Sequence, residues 1–373
     1  MVNKKKTKKH DRFAMSVGIP VIRPVPRLFS VLFFCVTCLV FISSCTRNHY
    51  EAPEMRAVWI HQGMFDANET RAAGQIDTLF TRYAGIGINN IFCFNALKVD
   101  NHLSWDFLRV LIDAGKRHSI GIHPILYPGY HVNLERALAE HPEWLIRDMQ
   151  GQVQPHLNLA LPEVRQYWID RVKDALSYDI AGIHLDYIRF PLNQGYSYDS
   201  LTCAMFRQEW GFSPLEVSHD SGSMIWCEWI KWNARQVTAL VTGIRDVINE
   251  SGKSVLLGAD VFPDAGLSFY EIGQDWALWM QTGLVDIVCP MLYTSNPEHF
   301  RSYVQQALEA ADGKCAVYPG IGIATSHNRI SKKSLVEEVE ITRGFSCNGF
   351  AFFSGYSLTP DMIDTLRLTV LNQ

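Results

Sequence analysis

Beyond residue 45 no two cysteines stand at Cys-x-x-Cys spacing, which removes the zinc-ribbon and thioredoxin patterns. No His-x-His pair occurs, and no ligand cluster demands a metal. No Gly-x-Gly-x-x-Gly follows the first strand-like run, which counts against a dinucleotide-binding fold. A surplus of positive charge is also missing, since the formal net charge is −4. Residues 1–45 carry eight basic residues and one acidic residue, a local charge of +7, which leaves about −11 for the remainder. So acidic a body lacks the basic face that phosphate-backbone binding requires, and nucleic acid is not expected as a partner. No cofactor is expected either.

What is present starts with an address. Lys4, Lys5, Lys6, Lys8, Lys9, Arg12, Arg23 and Arg27 make a basic leader, and an apolar run follows from Leu28 to Ile42. That run is shorter than the roughly 20 residues of a membrane span. It ends at Ile42-Ser43-Ser44-Cys45, an apolar residue and two small ones before a cysteine, which resembles a bacterial lipobox. The expectation is a signal peptide over 1–45, lipidation at Cys45, a polar tether over 46–53 and a mature domain over 54–373. This makes the protein an exported, membrane-anchored lipoprotein of the cell envelope, in the periplasm or outer membrane. An uncleaved anchor and an ordinary cleaved signal are the alternatives. Of the six cysteines beyond Cys45, Cys93, Cys289 and Cys315 lie in apolar runs, where a small buried hydrophobe fits.

From residue 57 short apolar runs alternate regularly with helical stretches. Strands are predicted at 57–62, 90–95, 121–127, 182–188, 255–261, 285–293, 316–323 and 349–355. Helices are predicted near 74–86, 106–118, 162–178, 224–251, 268–282, 298–312, 332–344 and 360–371. Near-continuous apolar strands separated by helices indicate a parallel sheet. Eight such units in about 320 residues fit an α/β fold of the closed (β/α)8 TIM-barrel type. The connections over 128–161 and 190–222 exceed ordinary βα loops, and long structured loops are usually functional. They carry Tyr130, His131, Trp144, Tyr196, Tyr198, Phe206 and Trp210, next to Tyr127, and are expected to wall a glycan groove. Aromatic content of 12% suits sugar stacking, and equally suits a large core.

The sharpest segment is Ala181-Gly-Ile-His-Leu-Asp186-Tyr-Ile-Arg189-Phe-Pro191. A carboxylate at the end of an apolar barrel strand needs solvation or a partner. Alternation puts His184, Asp186 and Ile188 on one face. Arg189 is expected to hold Asp186 ionised. A second carboxylate, Asp260, ends the next strand, and glycoside cleavage commonly needs such a pair. Asp186 is read as nucleophile or charge stabiliser and Asp260 as proton donor, with Asp264 or Glu228 as alternative acids. His61, Asn95, Tyr127, His184, Arg189 and Tyr293 are read as substrate-binding, with Gln62, His123 and Met291 as secondary candidates. Asp286, at the start of its strand, is read as structural.

The order of motifs resembles a known family. Glu54-Met-Arg56-Ala-Val-Trp59, His141-Pro-Glu-Trp-Leu145, Leu157-Asn158, Pro162-Glu-Val-Arg165 and the Gly182–Pro191 segment are similar to the glycosyl-hydrolase-like family 10 proteins of bacteria. So are Trp229-Ile-Lys-Trp-Asn233, Trp276, Trp279 and Val285-Asp286-Ile-Val-Cys-Pro290-Met-Leu-Tyr293. The resemblance spans residues 54–325. It implies a (β/α)8 barrel, catalysis at the strand-4 aspartate (Asp186), frequent export and a cell-wall glycan as substrate. Met291 stands where the family usually has Gln, and Thr294 where it has Trp. Asp260-Val-Phe-Pro and Ile272-Gly-Gln-Asp275 look more like a sibling group. The expected function is hydrolysis of O-glycosidic bonds in peptidoglycan or another polysaccharide. The alternatives are a non-catalytic glycan-binding lipoprotein and a metal-dependent deacetylase-like barrel. Oligomeric state is not legible.

Overall fold

Apolar runs that are buried on both faces can only be parallel staves under a helical coat, and this is what they become. In the computed structural model, residues 54–98, 101–130, 133–219 and 222–371 are described. The signal segment, Cys45, the tether and His131 lie outside them.

The staves are β1 (Met55–His61), β2 (Asn90–Phe94), β3 (Gly121–Leu126), β4 (Gly182–Leu185), β5 (Leu256–Val261), β6 (Ile287–Pro290), β7 (Ala316–Val317 and Gly320–Gly322) and β8 (Gly349–Phe353). Each pairs in parallel with the next, and β8 pairs with β1, Ala57 standing opposite Ala351. The two segments of β7 join the ends of the ring. Ala316–Val317 pairs with β6 and Gly320–Gly322 with β8. Pro319 interrupts this stave because it has no N–H to give, yet its carbonyl still accepts from Ala351. A bridge between Met291 and Gly320 continues the closure.

The barrel interior is filled by Ala57, Trp59, Phe92, Ile125, Ile287, Cys289, Tyr318 and Ala351. Two buried histidines, His123 and His184, share this space. Gly258 makes room for one of them, since a Cβ there would stand 2.5 Å from the His184 ring. Outside the ring, helices such as Phe107–His118 and Pro297–Ala311 lay one apolar face on the staves.

Several boundaries differ from expectation for identifiable reasons. β4 ends at Leu185 rather than 188, because Tyr187 turns the chain at φ 48°. The single helix expected at 268–282 is two, Ala265–Ile272 and Trp276–Gln281. Gly273 breaks it in the left-handed region at φ 67°, and Asp275 caps the second piece by accepting from Leu278 N–H. The break frees Gln274, whose side chain donates to the Asp260 carbonyl at 3.2 Å and accepts from Phe262 N–H at 2.9 Å. The end of β5 is thereby pinned.

The two long connections carry structure of their own. After β3 come the helix Leu134–Glu140 and a hairpin of Leu145–Arg147 with Val153–Leu157. After β4 comes the helix Ser200–Trp210, capped by Asp199. Most of their aromatics do not face a groove. Phe206 packs edge-on to Trp229 at 4.9 Å, and Tyr196 and Tyr198 also meet Trp229, on the helix Met224–Glu250. Trp210 stacks on Phe206, and Trp144 stacks on His141. A loop of this length must bury apolar surface of its own to be ordered, and these rings do that.

Candidate active site

One cleft of about 1110 Å³ opens at the C-terminal ends of the staves. Barrel geometry puts the loop-bearing face there, so the side chains at strand ends converge on it. Of the expected site residues, Asp186, Asp260, His61, Asn95, Tyr127, Arg189 and Tyr293 all line this cleft. Met291 does so as well.

Asp186 is 8% exposed and Asp260 only 1%. Asp186 follows β4 directly, and its own N–H still bonds to Leu126 of β3 at 2.8 Å. Its carboxylate accepts the Tyr187 N–H at 2.7 Å, a contact made possible by the turn at Tyr187. Burial, reinforced by the nearby Asp260, pushes Asp186 up to about 7. Asp260 accepts from Trp59 Nε1 at 3.2 Å and lies 3.3 Å from His184 Nδ1. Burial pushes it up to about 8, against the pull of the Trp59 and Cys289 bonds.

Three expectations are corrected here. Arg189 does not hold Asp186 ionised: it lowers the Asp186 pKa, but burial outweighs it, and no ion pair forms within 4.0 Å. His184 does not face substrate. It is fully buried, stacked on Phe92 at 3.7 Å, and holds Asp260 from beneath. Burial depresses its pKa to about 3, so it is a neutral imidazole at physiological pH. Neither alternative acid reaches the cleft lining: Asp264 caps the helix Ala265–Ile272, and Glu228 pairs with Lys231 at 2.7 Å. Asp286 is structural as expected, bound to Arg245 at 2.7 Å and to Leu257 N–H at 2.8 Å.

On the opposite wall the Asn95 amide links two neighbours. It lies 3.0 Å from His61 Nε2 and accepts from the Tyr127 hydroxyl at 2.7 Å. Asn95 follows β2 in the left-handed region at φ 54°, a conformation Asn tolerates better than most residues. Burial lowers the His61 pKa.

The fold also gathers donors that spacing along the chain does not suggest. His184, Asp260 and Cys289, on three adjacent staves, each bring one ligand atom within 4.8 Å of the others. A neutral His184 shares a hydrogen bond with Asp260 through Nδ1, while its Nε2 is buried with no partner among the described residues. All six described cysteines are free.

Other cleft residues went unnoticed in the sequence. Trp59 alternates with His61 on β1, so the period of two was a usable signal. Tyr187 and Phe262 flank Arg189, while His299 and Tyr303 come from the first turns of the helix Pro297–Ala311 that follows β6, and His327 from the loop after β7. Only their position at the active face marks them.

Residues 95–338 match the family described as Glycosyl hydrolase-like 10. The chain belongs to this family. No protein of curated function matches its sequence. Among solved structures, the PgaB (BpsB) glycoside hydrolase domain from Bordetella bronchiseptica is similar at a TM-score of 0.68 and 12% identity, over 85% of this chain and 99% of that one. A β-galactosidase from the psychrophilic Marinomonas ef1 is similar at 0.63 and 12%, over 85% of this chain and 59% of the galactosidase. Another, from Rahnella sp. R3, gives 0.59 and 9%, over 80% and 50%. At such identities the likeness is one of fold.

Proposed function

We propose that this glycosyl-hydrolase-like 10 protein is a glycoside hydrolase that cleaves O-glycosidic bonds in an envelope glycan such as peptidoglycan, or in another polysaccharide. The observation that carries the proposal is the pair Asp186 and Asp260: two carboxyl groups raised to about 7 and about 8, electrostatically coupled and lining one sugar-sized cleft. Pairs of titrating groups held at different pKa values divide into an acid and a base.

Asp260 is the deeper group and keeps its proton longer. It gives that proton to the glycosidic oxygen as the bond from the anomeric carbon breaks. Asp186, with its backbone N–H partner and greater exposure, ionises first and meets the positive charge developing on the sugar. Water completes hydrolysis, adding hydroxyl to the sugar and returning a proton to the pair. Trp59 and His184 both touch Asp260, and they fix its orientation.

The test is mass analysis of products from purified glycan strands and a polysaccharide panel. Cleavage by the wild type and its loss in folded Asp186→Asn and Asp260→Asn support the assignment. Binding without products in the wild type refutes hydrolysis in favour of a glycan-holding protein, and equal turnover in the Asp186→Asn variant removes Asp186.

We also propose that Cys45 carries a lipid that anchors the exported protein in the envelope. The basic leader, the short apolar run and the Ile42-Ser-Ser-Cys45 junction support this. Metabolic labelling with a fatty-acid analogue should mark the wild type and not Cys45→Ala; equal labelling overturns it.

A further inference from the structure

The cleft holds a cation without a counter-ion. Arg189 packs its guanidinium against the rings of Tyr187 at 4.6 Å and Phe262 at 4.8 Å. Among the described residues its hydrogen bond runs from Nη1 to the Phe190 carbonyl and is long, at 3.3 Å. Its Nε is buried with no partner. Among the described residues no carboxylate approaches it within 4.0 Å, although Asp186 is close enough to act on it electrostatically.

Other partly buried arginines of this chain have closer acceptors, and Arg171, whose Nε is also unpartnered, still meets Asp174 through Nη1 at 3.1 Å. Arg245 meets Asp286 at 2.7 Å, and Arg343 meets Glu54 at 2.8 Å. Arg165, also without a carboxylate, donates to Leu159 and Ala160 carbonyls and to Gln236. A guanidinium offers five donors in a planar fork, and leaving them unanswered in a desolvated wall is unfavourable. Among the described residues the acids lining the cleft are Asp186 and Asp260 alone, and neither pairs with the guanidinium, while His61, His299 and His327 line it too.

We propose that Arg189 is a specificity residue that receives a carboxylate carried by the sugar substrate, so that the glycan cleaved here is acidic. This rests on the glycan-hydrolase reading and narrows its substrate class. The two flanking rings hold the fork flat, which favours a planar, bidentate partner over a point charge. Two sources supply such a group: a ring carboxylate of a hexuronic acid, and a lactate ether-linked to an amino sugar.

Calorimetric binding to the whole protein separates them. The probes are a hexuronic-acid oligosaccharide and a lactyl-ether amino-sugar oligosaccharide, each beside its own carboxyl-reduced form. At least one acidic probe should bind about tenfold or more tightly than its reduced partner, and the preference should shrink with added salt. In Arg189→Gln the two forms should bind within about twofold of each other, while Arg189→Lys, which keeps the charge, should retain part of the preference. Thermal unfolding confirms that each variant is folded. Equal binding of acidic and reduced forms by the wild type, for both probes, overturns the proposal. So does an Arg189→Gln variant that weakens acidic and reduced probes equally. Acid-selective binding without any bond cleavage sinks the hydrolase reading instead and leaves Arg189 as the carboxylate receptor of a glycan-holding protein.

Discussion

Replacing Trp59 by Phe removes a single hydrogen bond from the proposed proton donor and leaves an aromatic ring in its place. The indole N–H reaches Asp260 Oδ2 at 3.2 Å, in a site where both residues are at most 2% exposed. That bond holds the Asp260 pKa down. A hydrogen bond to a charged group contributes about 1.5–3 kcal/mol. At about 1.4 kcal/mol per pKa unit, its loss raises the Asp260 pKa by about 1–2. The alkaline limb of the kcat/KM profile should therefore move from about 8 to between 9 and 10. The acidic limb, set by Asp186 near 7, should move far less. Phe keeps the edge contacts that Trp59 makes with Phe92 and Phe353, so the loss of packing should be modest. The assay is the rate of product release from a cleaved glycan between pH 5 and 10, with thermal unfolding run alongside. A folded Trp59→Phe enzyme whose alkaline limb stays in place refutes the role given to Asp260. The two limbs belong to a coupled pair, so the difference between variants is the quantity to read.

Four further outcomes are expected. Asp186→Asn should lower turnover by at least about 100-fold while leaving the circular dichroism spectrum intact, because its charge and not its volume is lost. Stability should fall as pH rises from about 4 to about 8: a carboxyl raised from 3.8 to about 7 or 8 favours the folded state fully below its unfolded pKa, and that stability is lost by the time the pH has passed its folded pKa. Denaturant unfolding at several pH values reads this, and Asp260→Asn should flatten the slope. Gly258→Ala should destabilise by about 1–3 kcal/mol, since the added methyl meets the His184 ring at 2.5 Å and that ring is held against Phe92; an unchanged melting temperature contradicts it. EDTA should leave turnover unaffected, and a loss restored by zinc would turn attention to the His184, Asp260 and Cys289 cluster.

The barrel was legible because its signal is periodic and local. Eight apolar runs with helical spacers leave few arrangements that bury both faces, and the strand-end aspartates follow from that register. Boundaries failed where one residue's backbone overrode the pattern, as at Tyr187 and Gly273. The long loops misled because an aromatic ring in a sequence does not declare whether it stacks on a sugar or on another ring. Phe206 and Tyr196 chose Trp229, a partner more than twenty residues away.

The sequence by itself determined the family, the parallel α/β architecture and the presence of carboxyl groups at the ends of adjacent staves. Only the tertiary structure decided their environments. Asp260 is raised because the barrel seals it beneath Trp59 and beside His184, residues 201 and 76 positions away in the chain. Arg189 faces the cleft between two rings rather than clasping Asp186. Desolvation and contact are properties of what surrounds a group in space, and no spacing along the chain encodes them.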